Sequence, residues 1–199
     1  LSAGSGGGNQ GVVVRSSTVS GANGAISLSG TAAGTDPVGF GVLLSTGTVT
    51  STGAQPIEVN GSGAGTSVGV RMEAGGTLGG VAHSGDLIVR ARPAGGGDSI
   101  DLAGPVNGSG RLFLEPLDAP NTIGIAGGAG TFNLSTAELG ALADGFSQIT
   151  IGHPAGTGLI NLGSHAFNDP IIIRNTGAGS AGIVTNGNLA AGANDLNLL

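Results

Sequence analysis

Residues 11 to 78 say nearly the same thing three times, and this recurrence constrains the fold more than any other feature of the chain. Gly11-Val12-Val13-Val14 returns as Gly41-Val42-Leu43-Leu44 and again as Gly69-Val70-Arg71-Met72. Each copy is followed by an apolar residue in a Ser/Thr/Gly setting, at Val19, Val49 and Leu78. Between the copies stand Ile26-Ser27-Leu28-Ser29-Gly30 and Ile57-Glu58-Val59-Asn60-Gly61. The offset is 30 residues from Gly11 to Gly41 and 28 from Gly41 to Gly69. Repeats of this length, built from short alternating strands and glycine turns, mark a solenoid. One such unit cannot bury its own apolar face, so its neighbours must supply the core.

The strands are short and alternate apolar with small or polar residues, a period of two that turns one set inward and the other outward. Val12 and Val14, Val42 and Leu44, Ile57 and Val59, and Val70 and Met72 are the inward candidates. Val14, Leu44 and Met72 are expected in one inward column. Pro37 and Pro56 precede strands, where a missing donor does least harm. Residues 1–10 are a Gly/Ser-rich lead-in, and 11–199 form a single domain. The period is about 30 residues through 11–99 and shortens over 100–199 to units of 11, as along Ile151, Leu162, Ile173 and Val184. An 11-residue unit is one strand and one corner. The first half therefore reads as three strands per coil, and a flatter two-sheet coil of roughly 22 residues is the alternative for the second. The fold class is all-β.

Ser135 to Phe146 departs from the strand pattern and reads as a helix near 135–145. Ser135 and Glu138 have capping-box spacing and Gly145 is placed to end it. Leu139, Leu142 and Phe146 form an apolar stripe for the flank of the solenoid.

Glycine accounts for 43 of 199 residues without collagen spacing, and only 9% of residues are charged. Such a composition suits a disordered chain, but 39% apolar residues in regular Ile-x-Leu and Ile-x-Val pairs can bury surface cooperatively, which favours order. There is no Cys, so no disulfide or thiolate chemistry. Lysine is absent, and the net charge of −6 disfavours nucleic acid and anionic membrane surfaces as partners. No stretch approaches the roughly 20 apolar residues that span a bilayer. The first residues lack the basic and apolar regions of a signal peptide, and a start without Met reads as a section of something longer.

From Ile100-Asp101-Leu102 to Gly110, then Leu112-Phe113-Leu114-Glu115-Pro116-Leu117 and Thr122-Ile123-Gly124-Ile125, the chain resembles repeats of very large bacterial exoproteins. Phe132-Asn133-Leu134-Ser135 and Phe146-Ser147-Gln148-Ile149-Thr150-Ile151-Gly152 extend the likeness. The related group is the filamentous-haemagglutinin-like adhesins of two-partner secretion, with similar strand-repeat surface proteins. The resemblance implies a right-handed parallel β-helix, secreted to the cell surface, acting as a rod that projects from a cell or links cells. It brings no catalytic residue, cofactor or metal. The partners it suggests are neighbouring coils of the same chain or identical subunits stacked axially, and surface glycans or proteins.

Against this stands a carbohydrate-active β-helix enzyme. Glu58 and Asp101 occupy similar slots, and paired carboxylates can act as acid and base on a glycosidic bond. However, about one coil or more separates them, and Trp and Tyr, the usual sugar platforms, are absent. Arg90 and Arg92 suit an acidic sugar, or equally two solvated charges. Gly95-Gly96-Gly97-Asp98-Ser99-Ile100-Asp101 is one imperfect copy of a calcium nonapeptide, whose sites need consecutive copies; a solvated turn is expected. His83, His153 and His165 lie far apart without acids at ligand spacing and are expected on surface turns or flanks. Gly127-Gly128-Ala129-Gly130 lacks the Lys-Ser/Thr of a phosphate loop and reads as a corner. Thr46-Gly47-Thr48-Val49-Thr50 suggests an ice-binding face, but no Thr-x-Thr array recurs along the chain. No catalytic, cofactor or metal residue is assigned.

Overall fold

A computed structural model describes residues 10–33, 39–63, 66–92 and 98–199. The lead-in through residue 9, Pro37 and the Gly95–Gly97 part of the nonapeptide-like run lie outside them. The chain is almost wholly β, and it proceeds in rounds. The first holds β1 (Val12–Arg15), β2 (Thr18–Gly21) and β3 (Ile26–Thr31). The second holds β4 (Val42–Ser45), β5 (Thr48–Ser51) and β6 (Ile57–Ser62). The third holds β7 (Val70–Met72), β8 (Thr77–Gly79) and β9 (Leu87–Arg92). The fourth holds β10 (Ile100–Leu102), β11 (Val106–Asn107) and β12 (Arg111–Pro116). A fifth contains β13 (Ile123–Ile125), β14 (Phe132–Leu134), helix α1 (Thr136–Leu139) and β15 (Gln148–Ile151). Then come β16 (Ile160–Leu162), β17 (His165–Ala166) and β18 (Ile171–Ile173), and finally β19 (Ile183–Thr185), β20 (Leu189–Ala190) and β21 (Leu196–Leu198).

Every round gives one strand to the long sheet, and the first four rounds also share the first and second sheets. The first sheet runs β1-β4-β7-β10, the second β2-β5-β8-β11, and the long sheet β3-β6-β9-β12-β15-β18-β21. A fourth runs β14-β13-β16-β19, and β17 with β20 make a short fifth. Among the described residues every strand pairing is parallel; the one antiparallel contact is the isolated bridge from Arg15 to Thr46. Val14, Leu44, Met72 and Leu102 are register partners in succession, each 4% exposed or less, as the column reading of the first three requires. Ile57, Leu87, Leu112, Ile149 and Ile171 form the matching column of the long sheet. These columns are the core. Aligned, fully buried aliphatic side chains each contribute about 1.5–3 kcal/mol over exposure.

The repeated glycines have a steric cause. A Cβ on Gly41 would lie 2.3 Å from the Ser62 nitrogen, and one on Gly61 2.1 Å from the Gly69 oxygen. Backbone that closes a round meets there the backbone that opens the same round or the next, with no room for a side chain.

Two expectations change. The helix covers only Thr136–Leu139, not 135–145. Its capping box forms as read, with Ser135 and Glu138 bonded reciprocally, but Gly140 ends it. Beyond Gly140 the backbone joins the second sheet instead: Val106 N donates to Ala141 O, Ala143 N donates to Val106 O, and Leu142 bridges Val106. Gly145, with φ of +124°, serves a later turn. The 11-residue spacing proves to alternate two sheets, so that Ile149 and Ile171, 22 residues apart, are register partners in the long sheet. The third face persists in this half only as two-residue strands.

Candidate functional site

Two polar regions are built by this stacking. The first lies on the outward face of the long sheet. Alternation along β9 and β12 turns Ile88, Arg90 and Phe113 away from the core, and register sets Glu115 beside Arg90. Arg90 Nε donates to Glu115 Oε2 at 2.7 Å, and its Nη1 donates to Glu58. Arg174 Nη2 reaches Glu115 Oε1 at 2.5 Å and its Nε reaches Gly152 O at 3.0 Å. Gly152 makes this reach possible: φ there is +123°, and a Cβ would lie 2.1 Å from the Arg174 oxygen. Glu115 is 3% exposed, so the two guanidinium groups that neutralise it also cover it. Arg111 forms a bidentate pair with Asp86 at 2.9 and 2.6 Å, and its guanidinium lies 5.2 Å from the Phe113 ring centre. Among the described residues, five of the chain's six arginines, Arg71, Arg90, Arg92, Arg111 and Arg174, stand in ion pairs. Cations already held by neighbouring carboxylates are poor receptors for an acidic ligand.

The second region is a cleft of about 570 Å³ lined by Asp98, Asp101, Leu102, Ala103, Ser135 and Glu138 among others. It opens where β10 and β14 lie side by side with no ladder between the first and fourth sheets, apart from one backbone bond just ahead of both strands, Ser99 N donating to Thr131 O at 3.0 Å. Two carboxylates bridge the strands instead. Asp98 Oδ1 accepts from Ile100 N at 3.3 Å and from Asn133 N at 3.0 Å. Glu138 accepts from Leu102 N through Oε1 at 3.1 Å and from Ser135 N through Oε2 at 2.8 Å. Each carboxylate therefore takes one donor from each side of the gap. Desolvation of its buried part pushes the Asp98 carboxyl up to about 6, although the residue keeps an exposed surface; its donors on Asn133, Ile100 and Ser99 oppose this and the charge of Glu138 adds to it.

A smaller cavity of about 190 Å³ lies beside α1, lined by Leu139, Ile149, His165, Phe167 and Asp169. Asp169 is 5% exposed and accepts from Gly145 N at 3.0 Å; burial raises its pKa above the usual carboxylate value and lowers that of His165. The His165 ring packs edge-on against Phe167.

The residues singled out in the sequence do not converge. Glu58 sits on β6 of the long sheet, paired with Arg90, while Asp101 sits on β10 of the first sheet, 3.4 Å from Arg71. They do not share a face. Arg92 is held by Ser62 and Asp118. His153 is in a turn, its Nδ1 accepting from Ala155 N at 3.0 Å, as a surface histidine should. His83 is a correction: it is fully buried, and neither ring nitrogen has a hydrogen-bond partner among the described residues. Its turn is roofed by the next round, where Ser109 N donates to His83 O. Thr18, Thr48 and Thr77 do align from round to round, but Ser20 stands opposite Thr50, so no double threonine column forms.

Glu115, Arg174 and the bridging role of Glu138 were not found from sequence. The only signal was outward alternation of Glu115, and its partner Arg90 stands 25 residues away instead of the 30 of the earlier repeats. Among the described residues no three His, Cys, Asp or Glu side chains group to hold a metal. No protein-family model, curated protein or solved structure matches the chain.

Proposed function

We propose that the chain is a stretch of right-handed β-solenoid rod from a large secreted surface protein, a structural and adhesive element without catalysis. The observation that carries this reading is the register-matched parallel stacking of one apolar column on another, round after round. That arrangement converts sequence into length, and its outward polar groups are largely committed to one another. Its partners on this reading are axially neighbouring coils and the glycans or proteins of a facing surface, outside the cell. A self-assembling fibre subunit is the second reading, favoured by Leu196 and Leu198, which are 39% and 45% exposed on β21. The test is incubation of the protein with uronate-containing and neutral polysaccharides. No depolymerisation is expected. Turnover that disappears in Glu138→Gln or Glu58→Gln would replace the rod with an enzyme.

A further inference from the structure

We infer that Asn23–Gly24, at the corner between β2 and β3, is a site of spontaneous covalent modification, where the Asn23 carboxamide is lost through a succinimide to leave aspartate or isoaspartate. The chain has four Asn-Gly pairs, at Asn23, Asn60, Asn107 and Asn186. The chemistry is the same at each. The backbone nitrogen of the glycine, losing its proton, bonds to Cγ of the asparagine; the Cγ–Nδ2 bond breaks and ammonia leaves. Water then opens the imide at either carbonyl and frees a carboxylate. Glycine is the neighbour that permits this, since it has no Cβ to block the approach and its backbone turns freely. The reaction needs that nitrogen unbonded, and the asparagine backbone free to swing its side chain onto it.

The fold restrains three of the four pairs. Asn60 and Gly61 lie inside β6, with Gly61 in register between Gly30 of β3 and Ala91 of β9, so a strand on each side holds them extended. Asn107 ends β11, and its carbonyl accepts from Gly80 N at 3.0 Å while Ser109 N donates to His83 O at 2.8 Å. Gly108 between them lies so close to the Phe146 ring that a Cβ would be 2.8 Å from it. At Asn186 the amides on either side of the glycine nitrogen are bonded, Asn186 N to Leu162 O at 2.7 Å and Asn188 N to Ser164 Oγ at 3.0 Å. Gly187 itself presses on Ser164.

Asn23–Gly24 has none of these restraints. Among the described residues the amides of Asn23, Gly24 and Ala25 donate to no acceptor, both residues of the pair are exposed, and a Cβ on Gly24 would meet nothing within 4 Å. The exposure belongs to the corner. Counted back from Ile26 and its partner Ile57, the matching residues of the second round are Ala54 and Gln55, and these are exposed with rounds stacked on both sides. Bonds hold the chain on either side of the pair: Thr52 donates to Gly21 O and Ala22 O, and Ile26 N donates to Pro56 O. The product adds one negative charge to a chain at −6. Isoaspartate also adds a methylene to the main chain, at a point where no backbone bond has to break to admit it.

Incubation of the whole chain in mildly alkaline buffer at physiological temperature, followed by proteolysis and tandem mass spectrometry, locates the mass change of amide loss at each asparagine. Asn23 should convert first, at least about tenfold faster than Asn60, which reacts only while its strand is open. In concentrated urea the four rates should converge, because each asparagine then has the same glycine neighbour and no fold around it. Asn23→Gln sets the carboxamide one methylene further out, and should remove the early product while leaving the other three pairs as they were. An Asn23 that stays intact in the folded protein over a time in which the unfolded chain converts overturns the inference. So do equal folded rates at the four pairs, or another pair converting first.

Discussion

Glu115 shows how much one side chain can hold on a stacked surface. It is nearly inaccessible, and it neutralises Arg90 from the preceding round and Arg174 from two strands ahead. Removing one partner of such an arrangement leaves the others desolvated and uncompensated, and the loss commonly exceeds what the pair contributed. Glu115→Gln should cost about 2–4 kcal/mol, toward the lower end of buried-pair losses because Arg90 and Arg174 keep 30% and 22% of their side-chain surface in water. Urea denaturation of wild type and variant checks this; a loss below about 0.5 kcal/mol would mean that the ladder is an ordinary surface network. Arg111 and Asp86, more exposed at 54% and 31%, should matter much less.

At the scale of elements, the informative irregularity is β13. The chain leaves β12, forms β13, and returns to lay β14 between β13 and β10, so that Thr122 and Thr131 meet side by side, with Thr131 N donating to Thr122 Oγ1 at 3.0 Å. Ile123 faces Phe132 and Ile125 faces Leu134, an offset of 9 residues. Thr-Ile-Gly-Ile and Thr-Phe-Asn-Leu are thus neighbouring copies of one strand. Excising Thr122–Gly130 should let β14 take the place of β13 against β16. Asn133 would then oppose Asn161, adjacent instead of two strands apart. The distance falls from about 9.6 to 4.8 Å, inside disulfide reach. In a chain that has no cysteine of its own, Asn133→Cys with Asn161→Cys should oxidise in the excised protein and stay reduced in the full one. Failure to cross-link, or unfolding on excision, would show that β13 is indispensable. This doubling was written in the sequence but not legible as a period, because a copy of 9 residues falls below the repeat length that signals a layer. The first three rounds were legible because their glycines and aliphatics keep spacings of 28–31. The helix was legible at its capped start only, since its end depended on Leu142 finding Val106 in another round. The Asp98 and Glu138 bridge had no sequence signature at all: its partners lie 35 and 36 residues away.

Across the whole molecule, one column of the long sheet begins at Ile26, 8% exposed, and stays at 2% or less from Ile57 to Ile171 before reaching 39% at Leu196. In the 1–199 chain taken by itself, the outer side of β21, which pairs with no other strand among the described residues, sets this exposed apolar end beside backbone groups that can template another strand. Concentration-dependent association of the protein in light scattering is expected, and it should vanish when Leu196 and Leu198 are both replaced by Lys. A monomer of unchanged behaviour in both forms would exclude stacking through β21. The returning strand β13 has its own effect at this scale. Beside the seven strands of the long sheet, the first and fourth sheets together carry eight. A stack with one surplus row on one flank is an edge dislocation in the crystallographer's sense, a half-plane that ends inside the lattice. On the rod reading proposed above, that flank would be longer by one spacing of about 4.8 Å, and such wedges repeated at intervals would turn a straight rod into an arc.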